Sequence, residues 1–169
     1  MTRRAASPPH VANPVPVDSN TVVASHGYGF GAQAVRIARS NDQWSASRMW
    51  KSNRLKAKFA NFFAFNGHLY GLDDGILTCL DAATGEPKWK EGRYGHGQMI
   101  LVDDVLLVLT EKGEIVLVEP SPAGLNELTR FPVLTGKTWN SPSLAGDLLF
   151  VRNDVEAACV QLPTTSSMR

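Results

Sequence analysis

Seven side chains have the types that hold an anionic or carbohydrate-like ligand: Lys56, Lys58, Arg93, His96, Lys137, Trp139 and Asn140. Cations attract negative charge, an indole stacks on a flat face, and an amide supplies both a donor and acceptors. They fall in three stretches, "KAKF", "RYGHG" and "GKTWN". When the segments that follow are aligned, Lys58, Gly95 and Thr138 take one level, Phe59, His96 and Trp139 the next, and Ala60, Gly97 and Asn140 the third. Lys56 and Arg93 fall one turn earlier, with Lys137 nearby. The same residues have an ordinary use, with the cations solvated in loops, His96 set between glycines in a turn and Trp139 packed between neighbouring units. Because exposed basic residues are common on any surface, that ordinary use is the default.

Other arrangements carry less chemistry. Asp18, Ser25 and His26 are close in sequence but lack the strand-to-helix elbow of a serine hydrolase. "HGYGFG", His26 to Gly31, has the glycines of a nucleotide loop without the helix that would receive a phosphate. "DDG", Asp73 to Gly75, reads as a turn between strands rather than a metal loop. "RLKAKF", Arg54 to Phe59, alternates basic and apolar residues, so on a strand its three cations share one face. It has neither the interleaved exposed aromatics nor the additional basic residues that nucleic-acid binding needs, and it is read as an inner strand with its cations in water. Cys79 and Cys159 lack zinc-ligand spacing and are read as two buried thiols in different structural units. No metal site is expected.

The elements that position these residues follow from composition and punctuation. The chain has 169 residues, 43% hydrophobic and 20% charged, with a net charge of +1, so it can bury a core and has no global field for nucleic acid or an anionic membrane. No apolar run reaches the length of a membrane span or a secretory signal. Residues 1–9, rich in Pro, Ser and Ala, read as a disordered lead-in and 163–169 as a tail. Between them, "PVPVDSNTVVAS", "FFAFNGHLYGL", "MILVDDVLLVL" and "PSLAGDLLFVR" are each an apolar strand, a short polar turn and a second apolar strand. Their turns begin at Asp18, Asn66, Asp103 and Gly146, about 37 to 48 residues apart, a repeat length of propellers and solenoids. A third strand follows each hairpin, and "RMWKS", "EPKWKEG" and "LNELTRF" supply fourth strands. The expected fold is all-β, a β-propeller of four-stranded antiparallel blades, about three complete and one partial. The blades span about 10–55, 56–92, 93–136 and 137–162.

The most informative stretch is "LDAATGEPKW", in which Asp81 accepts from turn amides, Thr84 and Gly85 reverse the chain and Trp89 offers a flat face to the next blade. It resembles the tryptophan-docking repeat of the bacterial pyrroloquinoline-quinone-like (PQQ-like) propellers, and "GKTWNSPSLAGDLLFVRND" resembles a blade start of that family. The resemblance runs from about Asn13 to Leu162. In the first blade Trp50, rather than Trp44, matches the docking position; "EPSPAGLNELTRF" lacks both the Thr-Gly turn and the Trp; the fourth blade lacks its last strand.

The resemblance implies a scaffold fold used for docking, in a periplasmic or secreted setting, and a chain that is the C-terminal part of a longer propeller. In the family's dehydrogenases it also implies a planar quinone over a Trp, a disulfide of adjacent cysteines and a calcium held by carboxylates and amides. This chain has no adjacent cysteines and no Asp-Glu-Asn cluster at the mouth of the propeller. The expectation is therefore a non-catalytic scaffold without cofactor that binds a protein or peptide, with self-association through open blade faces. The alternative is part of a quinoprotein dehydrogenase whose ligands lie on other blades.

Overall fold

Short apolar segments separated by left-handed turns build four antiparallel sheets in sequence order. The structure, a computed structural model, describes residues 10–163. The first sheet holds β1 (Val15–Pro16), β2 (Thr21–His26), β3 (Gly31–Ser40) and β4 (Gln43–Ser52). The second holds β5 (Phe63–Phe65), β6 (His68–Asp73), β7 (Ile76–Asp81) and β8 (Pro87–Arg93). The third holds β9 (Gln98–Val102), β10 (Val105–Leu109), β11 (Glu114–Glu119) and β12 (Asn126–Pro132). The fourth has three strands, β13 (Ser143–Ala145), β14 (Leu148–Arg152) and β15 (Ala157–Gln161). Each strand pairs with its sequence neighbour, and among the described residues there is no helix.

The strand period of two explains why the sheets stack. Along β10, Leu106 and Val108 face the second sheet and join Tyr70, Leu77, Cys79, Trp89, Val116 and Val118. Their neighbours Leu107 and Leu109 face the fourth sheet and join Ile115, Leu149 and Val151. A third cluster, with Val23, Ala34, Leu55, Phe62, Leu69 and Leu80, fills the space between the first and second sheets. The second and third sheets are thus buried on both faces, whereas the first and fourth each leave one face open. Phe150 and Leu148 on β14 are 45% and 38% exposed.

Two expectations need correction. "RLKAKF" is not a strand: residues 54–57 are irregular, with Leu55 fully buried at a φ of 57°. That left-handed backbone turns the chain between sheets, and the Ser25 hydroxyl supports it by donating to the Leu55 carbonyl while accepting from Ala57 N–H at 3.2 Å. Cys159 is exposed, because β15 turns it to the open side of the last sheet; only Cys79 is buried, and burial pushes its thiol up to about 11. The two thiols are free and sit in different sheets. The expected lead-in lies outside the described residues, as does the tail beyond Pro163.

Candidate functional site

The β7–β8 turn accounts for residues that could be mistaken for a site. Asp81 Oδ1 accepts from the N–H groups of Ala83 and Thr84, both at 3.0 Å, and from the Thr84 hydroxyl at 3.2 Å. These bonds, opposed by burial, hold its carboxyl below the usual aspartate range. Gly85, at a φ of 74°, packs against the Trp50 ring so closely that any Cβ there would collide with the indole. Trp50 Nε1 donates to the Ala82 carbonyl at 3.1 Å, and Trp89 Nε1 donates to Ser121 at 2.8 Å, one sheet further on in each case. The spacing from indole to acceptor is 32 residues both times. The third-sheet turn thus receives a tryptophan although it lacks the Thr-Gly pair. Trp44, by contrast, is 70% exposed on the β3–β4 hairpin with Arg39 over its ring.

At the end of the stack that carries the β6–β7 and β10–β11 turns, three rings from three successive inter-sheet loops meet. Phe59 stacks on Trp139 with centroids 5.6 Å apart, and His96 stands edge-on to both, at 5.9 Å from Phe59 and 6.1 Å from Trp139. Glu111, in the β10–β11 turn, fixes two of them: its Oε2 accepts from His96 N–H at 3.0 Å and its Oε1 accepts from Trp139 Nε1 at 2.8 Å. The His96 amide bond, opposed by burial and aided by the indole, holds Glu111 below the usual glutamate range, so the carboxylate stays ionised. Gly95, at a φ of 66°, lies against the Glu111 side chain, where a Cβ would clash. Lys137 lies over the outer face of Trp139, 3.8 Å from the ring centroid, as a cation–π pair. Trp139 remains 39% exposed, leaving an aromatic surface bordered by a cation.

The lysines of the preceding loop are paired with aspartates. Asp73, fully buried at the end of β6, accepts from Lys56 N–H at 3.1 Å and pairs with Lys56 Nζ and Lys90 Nζ, both at 2.7 Å. Burial drives this carboxyl up, but the two lysines outweigh it and hold it below the usual range. Asp74 pairs with Lys58 at 3.2 Å. Lys56 and Lys58 therefore have their charges paired within the second sheet and its incoming loop. Arg93 ends β8, exposed and opposite Ile76, and Asn140, which follows Trp139 in sequence, is half-buried. The structure thus brings together His96, Trp139 and Lys137, adds Phe59 and Glu111, and leaves Lys56, Lys58 and Arg93 apart. The shared alignment level of Phe59 with His96 and Trp139 was the available signal for Phe59; Glu111 gave none beyond its turn.

No protein-family model matches the sequence, and no curated protein matches it either. Solved structures do match. The WD40 β-propeller domain of Doa1 superposes with a TM-score of 0.59 at 15% identity, over 90% of this chain and 51% of that one. BamB from Moraxella catarrhalis superposes with a TM-score of 0.54 at 12% identity, over 95% of this chain and 60% of that one. The chain has a β-propeller fold. The computationally designed Ika4 protein gives a TM-score of 0.60 at 10% identity, over 96% of this chain and 100% of that one. The chain thus spans about half to three-fifths of the two natural propellers and corresponds to the whole of the designed one.

Proposed function

We propose that this propeller segment is a non-catalytic scaffold of the PQQ-like type that binds a peptide segment of a partner protein on the aromatic surface of Phe59, His96 and Trp139. The observation that carries the reading is the half-exposed Trp139, held rigid by Glu111 and capped by Lys137. A rigid indole beside a cation is the kind of anchor on which binding energy concentrates, because little conformational freedom is lost when it is covered. The tryptophan seams at Trp50 and Trp89 favour the PQQ-like repeat over other propeller repeats. The reading needs no quinone: no adjacent cysteines stand near the mouth, and Asp73, Asp74 and Glu111 are committed to lysines, an amide and an indole. Among the described residues no group of three or more His, Cys, Asp or Glu is placed to hold a metal.

The experiment is a selection of phage-displayed random peptides on the purified chain, followed by titration of the selected peptides into wild type and Trp139→Ala. Loss of about tenfold or more in affinity on the variant supports the reading, a size typical of an aromatic anchor. Peptides that bind both proteins equally overturn it. The open faces of the first and last sheets support a further part of the reading, self-association through them, because exposed Leu148 and Phe150 would be covered by another sheet. Light scattering measures this: a dimer or larger closed assembly is expected, and a monodisperse monomer would contradict it.

A further inference from the structure

A cleft of about 340 Å³ opens beside the first sheet, away from the ring cluster, and its chemistry is different. His10, His26, Gln33, Arg48 and Lys51 line it. Strand register explains their convergence. Gln33 on β3 pairs with Lys51 on β4, and Arg48 pairs with Val35, two residues further along β3, so all three side chains leave the same face of the sheet. The opposite face carries Val23, Ala34 and Trp50 against the second sheet. His26 ends β2 at the edge of the cleft, its ring held between His10 at 4.1 Å and Phe30 at 3.9 Å.

Two observations distinguish this cleft from a chance basic patch. His26 is 9% exposed, and its buried Nδ1 has no hydrogen-bond partner among the described residues. A buried imidazole nitrogen left unpaired is costly, and a bound group or water that reached it would relieve that cost. Secondly, no acidic residue lines the cleft, and Arg48 and Lys51 take part in no ion pair among the described residues. Residues 1–9 and 164–169 contain no Asp or Glu. Burial, and then the nearby His10, depress the basicity of His26, with Lys51 acting in the same direction and the Gly27 peptide opposing. Lys58, against Gly27, adds a further cation at this end of the sheet, although Asp74 pairs with it. Arg48 and Lys51, facing one another without an ion-pair partner among the described residues, repel a metal cation and attract an anion.

We propose that the cleft binds a small oxyanion, a phosphate or a carboxylate, held by Arg48, Lys51 and the Gln33 amide, with the unpartnered His26 Nδ1 at its edge. Arg48 can offer a paired guanidinium edge and Lys51 a point charge, which suits two oxygens of one group. Lys51 also lies 5.8 Å from the Phe30 ring centroid, which orders it at the cleft. Ser25 takes no part, since its hydroxyl is used by Leu55 and Ala57.

The test is calorimetric titration of sodium phosphate and, separately, sodium succinate into the full chain at about pH 6, in two buffers of different ionisation enthalpy. Saturable binding of either is the expected result, with a buffer-dependent heat that differs between wild type and His26→Gln, the difference separating the protein's proton from those of the anion itself. Phosphate alone marks a phosphate site, succinate alone a carboxylate site, and both a general oxyanion site. The Arg48→Gln/Lys51→Gln double variant, which changes exposed side chains and leaves the core intact, should lose about tenfold or more in affinity. His26→Gln should weaken the proton uptake. No saturation by about 10 mM of either anion, or unchanged affinity in the double variant, overturns the proposal.

Discussion

Trp50 and Trp89 differ from Trp139 in what fixes the ring. At the seams, each indole donates to a backbone carbonyl of the next sheet and the ring is covered, Trp50 partly and Trp89 to 8% exposure. At the ring cluster, the Trp139 indole donates to a side chain, Glu111, and the residue stays 39% exposed. A carbonyl belongs to the fold, so the seam bond joins sheet to sheet. A carboxylate on a turn belongs to a local cluster, so its bond orients a surface. The same residue type therefore stabilises the stack in one region and presents a face to solvent in the other.

Substitutions can break that contrast. Trp89→Ala should cost about 4 kcal/mol in urea unfolding, through the cavity in the shared core and the lost bond to Ser121. Asp73→Ala should cost about 3 kcal/mol, because it strands Lys56 and Lys90 around a buried gap; a loss below about 1 kcal/mol would show that the lysines escape to water. Trp89→Phe, which keeps one aromatic ring but removes the indole donor and the five-membered ring, should cost about 2 kcal/mol. Trp44→Ala, on the exposed hairpin, should change stability by less than about 0.5 kcal/mol.

Acid should reveal two steps in stability. His26 has a depressed folded-state pKa, so its contribution is complete above the ordinary value of 6.5 and is lost as pH falls through and below it. Asp73, Asp81 and Glu127 are also depressed, by lysine pairing, turn amides and Arg130 respectively, each against burial. Their contribution is complete above the ordinary carboxylate range, near about 4, and is lost below it. Urea unfolding at about pH 8, 5.5 and 3.5 measures both steps. Equal stability at the first two values would remove the histidine step.

The seam was more legible in sequence than the ring cluster. "LDAATGEPKW" places an acceptor, a left-handed glycine and a flat ring at fixed spacing along one strand and turn, so local chemistry specifies it. The choice of Trp50 over Trp44 followed from strand position alone and agrees with its bond to Ala82. The ring cluster depends on distances between loops of different sheets. Alignment put Phe59, His96 and Trp139 at one level, but no local signal ties Lys56 to Asp73 across 17 residues, or Trp139 to Glu111 across 28. The positive φ of Leu55 was equally hidden, since nothing in a leucine announces a left-handed backbone. Alternation alone made "RLKAKF" look like a strand, and tertiary packing overrode it.

The most direct measurement is to follow Trp139→Ala in two readouts on the same preparation, thermal unfolding and affinity for the selected peptides. The account predicts a loss of about tenfold or more in affinity with a stability change of less than about 1 kcal/mol, since the ring is half open. A large stability loss with unchanged peptide affinity would make Trp139 another seam residue and contradict the account.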